Sequence, residues 1–473
     1  MKTGLVAEVT NRPKDCIICG GPTGSREHVF PSALGGRRED KKIYCSAHNQ
    51  WMGPHVAILQ AQLEAINAML EVKPDRGKVR SHVFADGDGE RYVIRGSEVL
   101  PVADLDAILN SYTPGEAQDL KLAPEDLPRL KERAKQRGFT LHVTEQTSPT
   151  AEYRVGPYKI SMMQGGDDAM RAVSYLALTF VAHRWPHVAR SPGLAAVKDM
   201  LRSGSVYVGE DSIASPQPAS EFVDWSPVLD ASAELRHPTG LGHTVVLCVL
   251  KGQVLAYVSL LDLQCWTIRL GDAATSLADR TDVIHIDPLK TGYGDDWRVQ
   301  EFDHALLDGL VDPNYLRKTV LESHRMQRQV AAVMGRVMDR RDRLEAEAAT
   351  QEFAAVQGLP SPAREAAIHD FVAKRRQRLV NHISMFAEHL TADTPTLARV
   401  KAGALKATQS DPDSSDGLNP AARRVLDLVV TIMSRLLAGE AVGFVLTRDY
   451  YIGLFGYMGQ QLIAIALEWE EGR

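Results

Sequence analysis

The chain has 473 residues, 44% hydrophobic and 24% charged, with a formal net charge of -6. This excludes a disordered or fibrous chain and leaves room for two or three domains. It also excludes any case for nucleic-acid binding from total charge, so such a surface has to be local.

Charge is not evenly spread. Residues 1–80 hold 12 Lys+Arg against 8 Asp+Glu, so the positive end is the N-terminal one. Five cysteines are too few for a disulfide framework; three cluster between residues 16 and 45, and Cys248 and Cys265 lie in apolar runs. That usage fits a reducing compartment, and a cytoplasmic location is expected. The first fifteen residues have no apolar stretch of signal-peptide length. The most apolar run, 452–467, has 16 residues. That falls short of the ~20 a membrane span needs, so it reads as a buried helix and no membrane partner is expected.

In chain order, an irregular lead-in precedes a Cys/His-rich segment over 16–50. From Asn49, Val56, Leu59, Leu63, Ile66 and Leu70 recur at helical spacing, with Gly53–Pro54 marking a bend and Pro74 and Gly77 a stop. "RSHVFADGDGERYVIRG" (80–96) reads as a hairpin around Asp-Gly-Asp-Gly. Residues 101–140 read as charged helices, and "FTLHVTEQ" and "YRVGPYKISMM" as strands. Residues 167–185 read as an amphipathic helix stopped by Pro186, and 193–204 as another, closed by Gly204. Residues 243–270 read as a β-meander broken at Lys251–Gly252 and Asp262. From about Phe302 the pattern is helical, interrupted at 359–362 and at 408–420, the best linker composition in the chain. A basic stripe over 316–349 and "KRRQR" (374–378) read first as solvated helix faces and second as a clamp for a phosphate backbone. The class is α+β: an N-terminal segment (1–75), a mixed middle with a β-meander (76–300) and an all-α bundle at the C-terminus (301–473).

Cys16-x-x-Cys19 and Cys45-x-x-His48 form two ligand pairs. Each pair lets neighbouring side chains reach one ion, and together they make a Cys₃His set that suits tetrahedral zinc and leaves no open position. Such a closed site is structural.

Between and after these pairs stand "SREHVFPSALGG" (25–36) and "CSAHNQWMG" (45–53). Together they resemble the HNH endonuclease family, in its zinc-braced bacterial form with Glu-His-x-x-Pro-x-x-Leu-Gly-Gly followed by Cys-x-x-Cys-Asn. The resemblance is sharp over 16–53 and faint to about 270. It implies a treble-clef-like ββα-metal finger: a hairpin and a helix around one catalytic cation, braced by zinc. It implies that His28 is the general base, that Glu27 and Asn49 are ligands of Mg²⁺ or Mn²⁺, and that the activity is phosphodiester hydrolysis in DNA, RNA being the lesser expectation. A near-neutral imidazole can take a proton from attacking water, and a hard cation can neutralise the phosphate and leaving oxygen. Arg26, Arg37, Arg38, Lys41 and Lys42 flank these residues and would meet phosphates rather than bases. The chain departs from the pattern at His48, where relatives carry Cys. It departs again over 37–44, which lacks the family's middle Asn and where Asp40 is the nearest polar substitute. A finger on a long body resembles bacterial phage-defence and restriction effectors, which implies gating by an activating ligand or partner protein. The other reading is a zinc-finger nucleic-acid-binding module without catalysis. Nothing in the sequence fixes the oligomeric state.

Overall fold

The computed structural model describes residues 14–75, 77–85, 91–96, 98–112, 126–138, 140–142, 165–203, 217–225, 236–273, 279–290, 297–301 and 323–373, with scattered positions beyond. Helices and antiparallel sheets alternate along the chain, so the class is mixed α and β. The chain divides into two compact units: 1–101 with 160–338, and 102–159 with 339–473. No helix among the described residues is long and apolar enough to cross a membrane.

The first unit opens with a short antiparallel pair, β1 (Glu27–His28) and β2 (Glu39–Asp40), followed by α1 (Ser46–Trp51) and α2 (Gly53–Met69). The bend expected at Gly53–Pro54 is where α1 gives way to α2, with Pro54 in the first turn of α2. There its missing N–H costs nothing. α2 stops earlier than its proline suggests: Leu70 caps it and Glu71 turns left-handed at φ 54°. The hairpin expected over 80–96 is present as β3 (His82–Ala85) and β4 (Arg91–Arg95), with β5 (Glu98–Pro101) as a third strand.

The meander is present, as β7 (His243–Leu250), β8 (Gln253–Leu260) and β9 (Gln264–Asp272), flanked by β6 (Val223–Trp225), β10 (Arg280–Ile286) and β11 (Trp297–Glu301) in the order β11-β10-β7-β8-β9-β6. Lys251 and Gly252 both have positive φ, 51° and 78°, as a two-residue hairpin turn requires. Every residue of β7 is buried. Val245, Leu247 and Val249 join the main core, while Val246, Cys248 and Leu250 join a second cluster with Tyr257 and Val283. Burial on both faces explains why β7 reads as a continuous apolar run rather than an alternating one.

One expectation is corrected by α5 (Asp167–Arg184). It is not amphipathic, because 13 of its 18 residues are buried. Several of its polar side chains are satisfied internally. Ser174 and Thr179 donate to the carbonyls of Met170 and Tyr175, and Arg171 reaches Asp167 and the carbonyls of Met200 and Gln217. A helix apolar on all sides belongs inside, and α5 packs against α2 and against β7, β8 and β9. The core around it is continuous: Cys16, Ile17, Phe30, Leu34, Ile43 and Tyr44 lie in the same cluster as Phe180, Val245 and Trp266. α6 (Ala195–Ser203) closes this side.

The Gly35–Gly36 pair has a packing reason. Gly35 has φ 91°, and a Cβ there would meet the Cα of Pro288 at 2.5 Å; a Cβ on Gly36 would meet the carbonyl oxygen of Phe30 at 2.0 Å. The turn can close against both only without side chains. His243 fixes the same turn: its Nε2 lies 3.1 Å from the Leu34 carbonyl, and burial pushes its pKa down to about 3, so the ring stays neutral.

In the second unit, α3 (Leu105–Ser111) packs Leu105 and Leu109 against Leu130 and Ala134 of α4 (Asp126–Gln136), and Arg133 and Arg137 pair with Asp106. α7 spans Ser323–Gln357, and the interruption at 359–362 separates it from α8 (Ser361–Ala373). Phe353 and Phe371 meet edge-on at 5.4 Å. Of the basic stripe, Arg336 lies 3.6 Å from Asp262 and Arg343 lies 2.8 Å from Asp339, so part of it is paired within the protein. Of the strands expected at 139–146 and 153–163, residues 140–142 are described and are not in a strand; the rest, the linker at 408–420 apart from Pro420, and the run at 452–467 lie outside the described residues.

Candidate functional site

The knuckle is built from the backbone outward. The Cys16 N–H donates to the Gly21 carbonyl (2.7 Å) and the Gly20 N–H to the Cys16 carbonyl (2.8 Å), with Gly20 at φ 71°. This tight turn places Cys16 and Cys19 side by side. Cys45 precedes α1, and the first helical turn carries His48 back to it. The four ligand atoms all lie within 4.8 Å of one another. Cys45 Sγ is 3.1 Å and Cys16 Sγ 3.7 Å from His48 Nδ1, and Cys19 Sγ is 3.9 Å from Cys45 Sγ. The edges of a zinc tetrahedron with these donors are ~3.5 to 3.8 Å, so the set fits zinc in chemistry and spacing. Separations near 4 Å are far too long for a disulfide, and all three cysteines are free thiols.

Local electrostatics favour the metal-binding form at Cys16 and His48, whereas burial raises the Cys19 thiol. Burial raises the Cys16 thiol, but the backbone N–H groups of Cys19, Cys45 and Ile18 outweigh it and leave its pKa lowered. Burial, with a contribution from Arg202, lowers His48 and favours the neutral imidazole a metal needs.

Beside the knuckle, the register of the hairpin decides which residues meet. His28 faces Glu39 across the ladder and Glu27 faces Asp40. Neighbours on a strand point to opposite sides, and the two pairs part accordingly. Glu27 and Asp40 turn inward toward α5: Glu27 faces the Tyr175 hydroxyl, and Asp40 lies 2.8 Å from His183 Nδ1. His28 and Glu39 turn outward, where Asp75 joins them from the segment after α2. His28 Nε2 is 3.4 Å from Asp75 Oδ2 and 3.8 Å from Glu39 Oε1.

Glu27 therefore does not share the face of His28, as a cation ligand beside the base would. Burial pushes its carboxyl up to about 7 against the pull of the Tyr175 hydroxyl. The sign of the stability effect follows. The unfolded carboxyl ionises near 4.5 and the folded one near 7, so stability falls as pH rises between those values and the full loss persists above 7. Glu27→Gln should stabilise the protein by roughly 3 kcal/mol at pH 8 and by less than about 1 kcal/mol at pH 5, read by denaturant titration at the two pH values. An equal effect at both would mean that the carboxyl is not raised.

Asn49, on α1, donates through Nδ2 to Ser25 Oγ (2.6 Å) and to the Arg26 carbonyl (3.1 Å). It ties the helix to the start of the hairpin. Of the basic residues, Arg26, Lys41 and Lys42 are exposed, and Arg38 is half-buried. Arg37 corrects its expectation. It is 5% exposed, donates to the Lys73 carbonyl and lies 3.9 Å from Asp75, so it faces protein rather than phosphate. Asp40, the substitute expected for the family's middle Asn, is likewise turned away from His28. Sequence reasoning missed Glu39 and Asp75. The hairpin register could have found Glu39; no local signal marks Asp75.

No family model matches the chain, and neither does any curated protein or solved structure.

Proposed function

We propose that the chain is an HNH-type endonuclease that hydrolyses phosphodiester bonds in DNA with the help of a divalent cation, its N-terminal segment forming a ββα-metal finger braced by zinc. The observation that carries the reading is the position of His28. It stands on the open side of a two-strand hairpin, within reach of two carboxylates and bracketed by a Cys₃His set, with the helix following directly. In this reading the imidazole prepares the attacking water, and Arg26, Lys41 and Lys42 meet the phosphate backbone. A cation supplies charge neutralisation at the phosphate. The remaining chain, including a helical C-terminal bundle, gates or targets the finger in answer to a ligand or partner protein, as in a defence effector.

A second reading, a nucleic-acid-binding finger without catalysis, is favoured by the inward turn of Glu27 and the absence of the middle Asn. Nicking of supercoiled plasmid separates the two. The first reading expects nicking that needs added Mg²⁺ or Mn²⁺, stops in EDTA and falls steeply with salt as phosphate contacts are lost. DNA retention without nicking under any cation supports the second.

A further inference from the structure

We infer that His28, Glu39 and Asp75 form a second metal site, distinct from the zinc knuckle, that takes a divalent cation of borderline hardness such as Mn²⁺. Its role in cleavage rests on the reading above; its existence does not.

The three ligand atoms lie within 4.8 Å of one another. The separations of His28 Nε2 are 3.4 Å from Asp75 Oδ2, at the long limit of a hydrogen bond, and 3.8 Å from Glu39 Oε1, beyond that limit. They are close to the edges of a coordination polyhedron, which are ~3.0 to 3.5 Å for bonds of 2.1 to 2.2 Å. The knuckle a few residues away shows the same spread, 3.1 to 3.9 Å, in its own donor set.

The carboxylates are also aimed. Glu39 turns Oε2 toward Arg26 (3.7 Å) and Oε1 toward His28; Asp75 turns Oδ1 toward Arg37 (3.9 Å) and Oδ2 toward His28. Each arginine stands at ion-pair distance from one oxygen and leaves the other facing the imidazole, as the groups behind metal ligands commonly do. Asp75 is anchored besides: its N–H donates to Ser32 Oγ at 2.8 Å, and buried Arg37 binds the carbonyl two residues back. The side chains of His28, Glu39 and Asp75 are 22%, 20% and 33% exposed, which leaves one side open to water or a phosphate oxygen. Two carboxylates and one imidazole suit Mn²⁺ better than the thiolate-rich knuckle does. This set replaces Glu27 and Asn49 as the cation's ligands and makes His28 Nε2 one of them, so that in cleavage the ring would act through the cation and its bound water rather than as the free base of the reading above.

The test uses the full-length, zinc-loaded protein titrated with Mn²⁺ and followed by loss of the free-ion electron paramagnetic resonance signal. One Mn²⁺ should bind per chain beyond the zinc. Asp75→Asn and Glu39→Gln should each weaken it at least tenfold, and Glu27→Gln should leave it unchanged, with zinc content of one confirming that each variant is folded. Electron spin-echo modulation should show a directly bound nitrogen that His28→Ala removes. No Mn²⁺ bound to wild type, or equal affinity in the Asp75 and Glu39 variants, overturns the site; a nitrogen signal surviving in His28→Ala overturns the role of His28. A protein that binds Mn²⁺ here yet never nicks DNA leaves the site standing and removes the cleavage reading instead.

Discussion

Replacing His28 by alanine should lower DNA nicking by ~10² to 10⁴-fold while zinc content and fold stay near wild type. Chemistry and stability separate at this residue because of where the ring sits. The ring faces the side chains of Glu39 and Asp75, each of which also has an arginine beside it. Truncation therefore leaves no stranded buried charge, and the cost to stability should stay within about 1 kcal/mol. Raising Mn²⁺ should restore part of the nicking, because a weakened site can be refilled by mass action when one ligand is lost. No recovery at any Mn²⁺ concentration would assign the ring to proton transfer alone. Nicking at wild-type rate in His28→Ala would place the chemistry elsewhere in the chain.

The second large effect is expected at the knuckle. Cys45→Ser should lose the zinc, measured by elemental analysis, and lower the melting temperature of the first unit by roughly 10 °C. The loss should not stay local. Cys16, Ile17, Ile18, Ile43 and Tyr44 belong to the core that includes α5 and the six-stranded sheet, and the Tyr44 hydroxyl lies 2.9 Å from Thr179 Oγ1 on α5. Releasing the two ligand pairs loosens one wall of that core. His48→Ala should behave like Cys45→Ser, whereas Asn49→Ala, one residue on, should keep its zinc. A variant without zinc that melts as wild type would make the knuckle ornamental.

The parts of the fold legible in the sequence are those written in local code. The Lys251–Gly252 turn, the bend at Gly53–Pro54 and the Cys-x-x-Cys pair each depend on a few adjacent residues, and each appears where expected. Pattern failed where environment outranked it. α5 carries Arg171, Ser174, Thr179 and His183, which suggest a polar face. Their hydrogen bonds are instead met inside, and only the tertiary partners reveal that. The same holds for the site: the resemblance sets Glu27 beside His28 as a cation ligand, yet neighbours on a strand point to opposite sides. Asp75 reaches His28 across 47 positions, through a helix whose end is set by Glu71 rather than by the proline beyond it. Arg37 looks like a surface cation in sequence and becomes a buried strut, because the segment it holds arrives from after α2.

The continuity of the first unit's core also bears on how the chain is made. The hairpin that carries His28 leans on Thr179 through Tyr44, on His243 through the Leu34 carbonyl, and on Pro288 through Gly35. On the ribosome, Pro288 emerges more than two hundred residues after the last knuckle ligand. At roughly 5 to 20 residues per second, that is a wait of about 10 to 40 seconds. During it the N-terminal segment can hold zinc but cannot dock. A hairpin whose supports are synthesised this late stays unsupported on the nascent chain until β7 to β10 of the six-stranded sheet and the segment after them have been made.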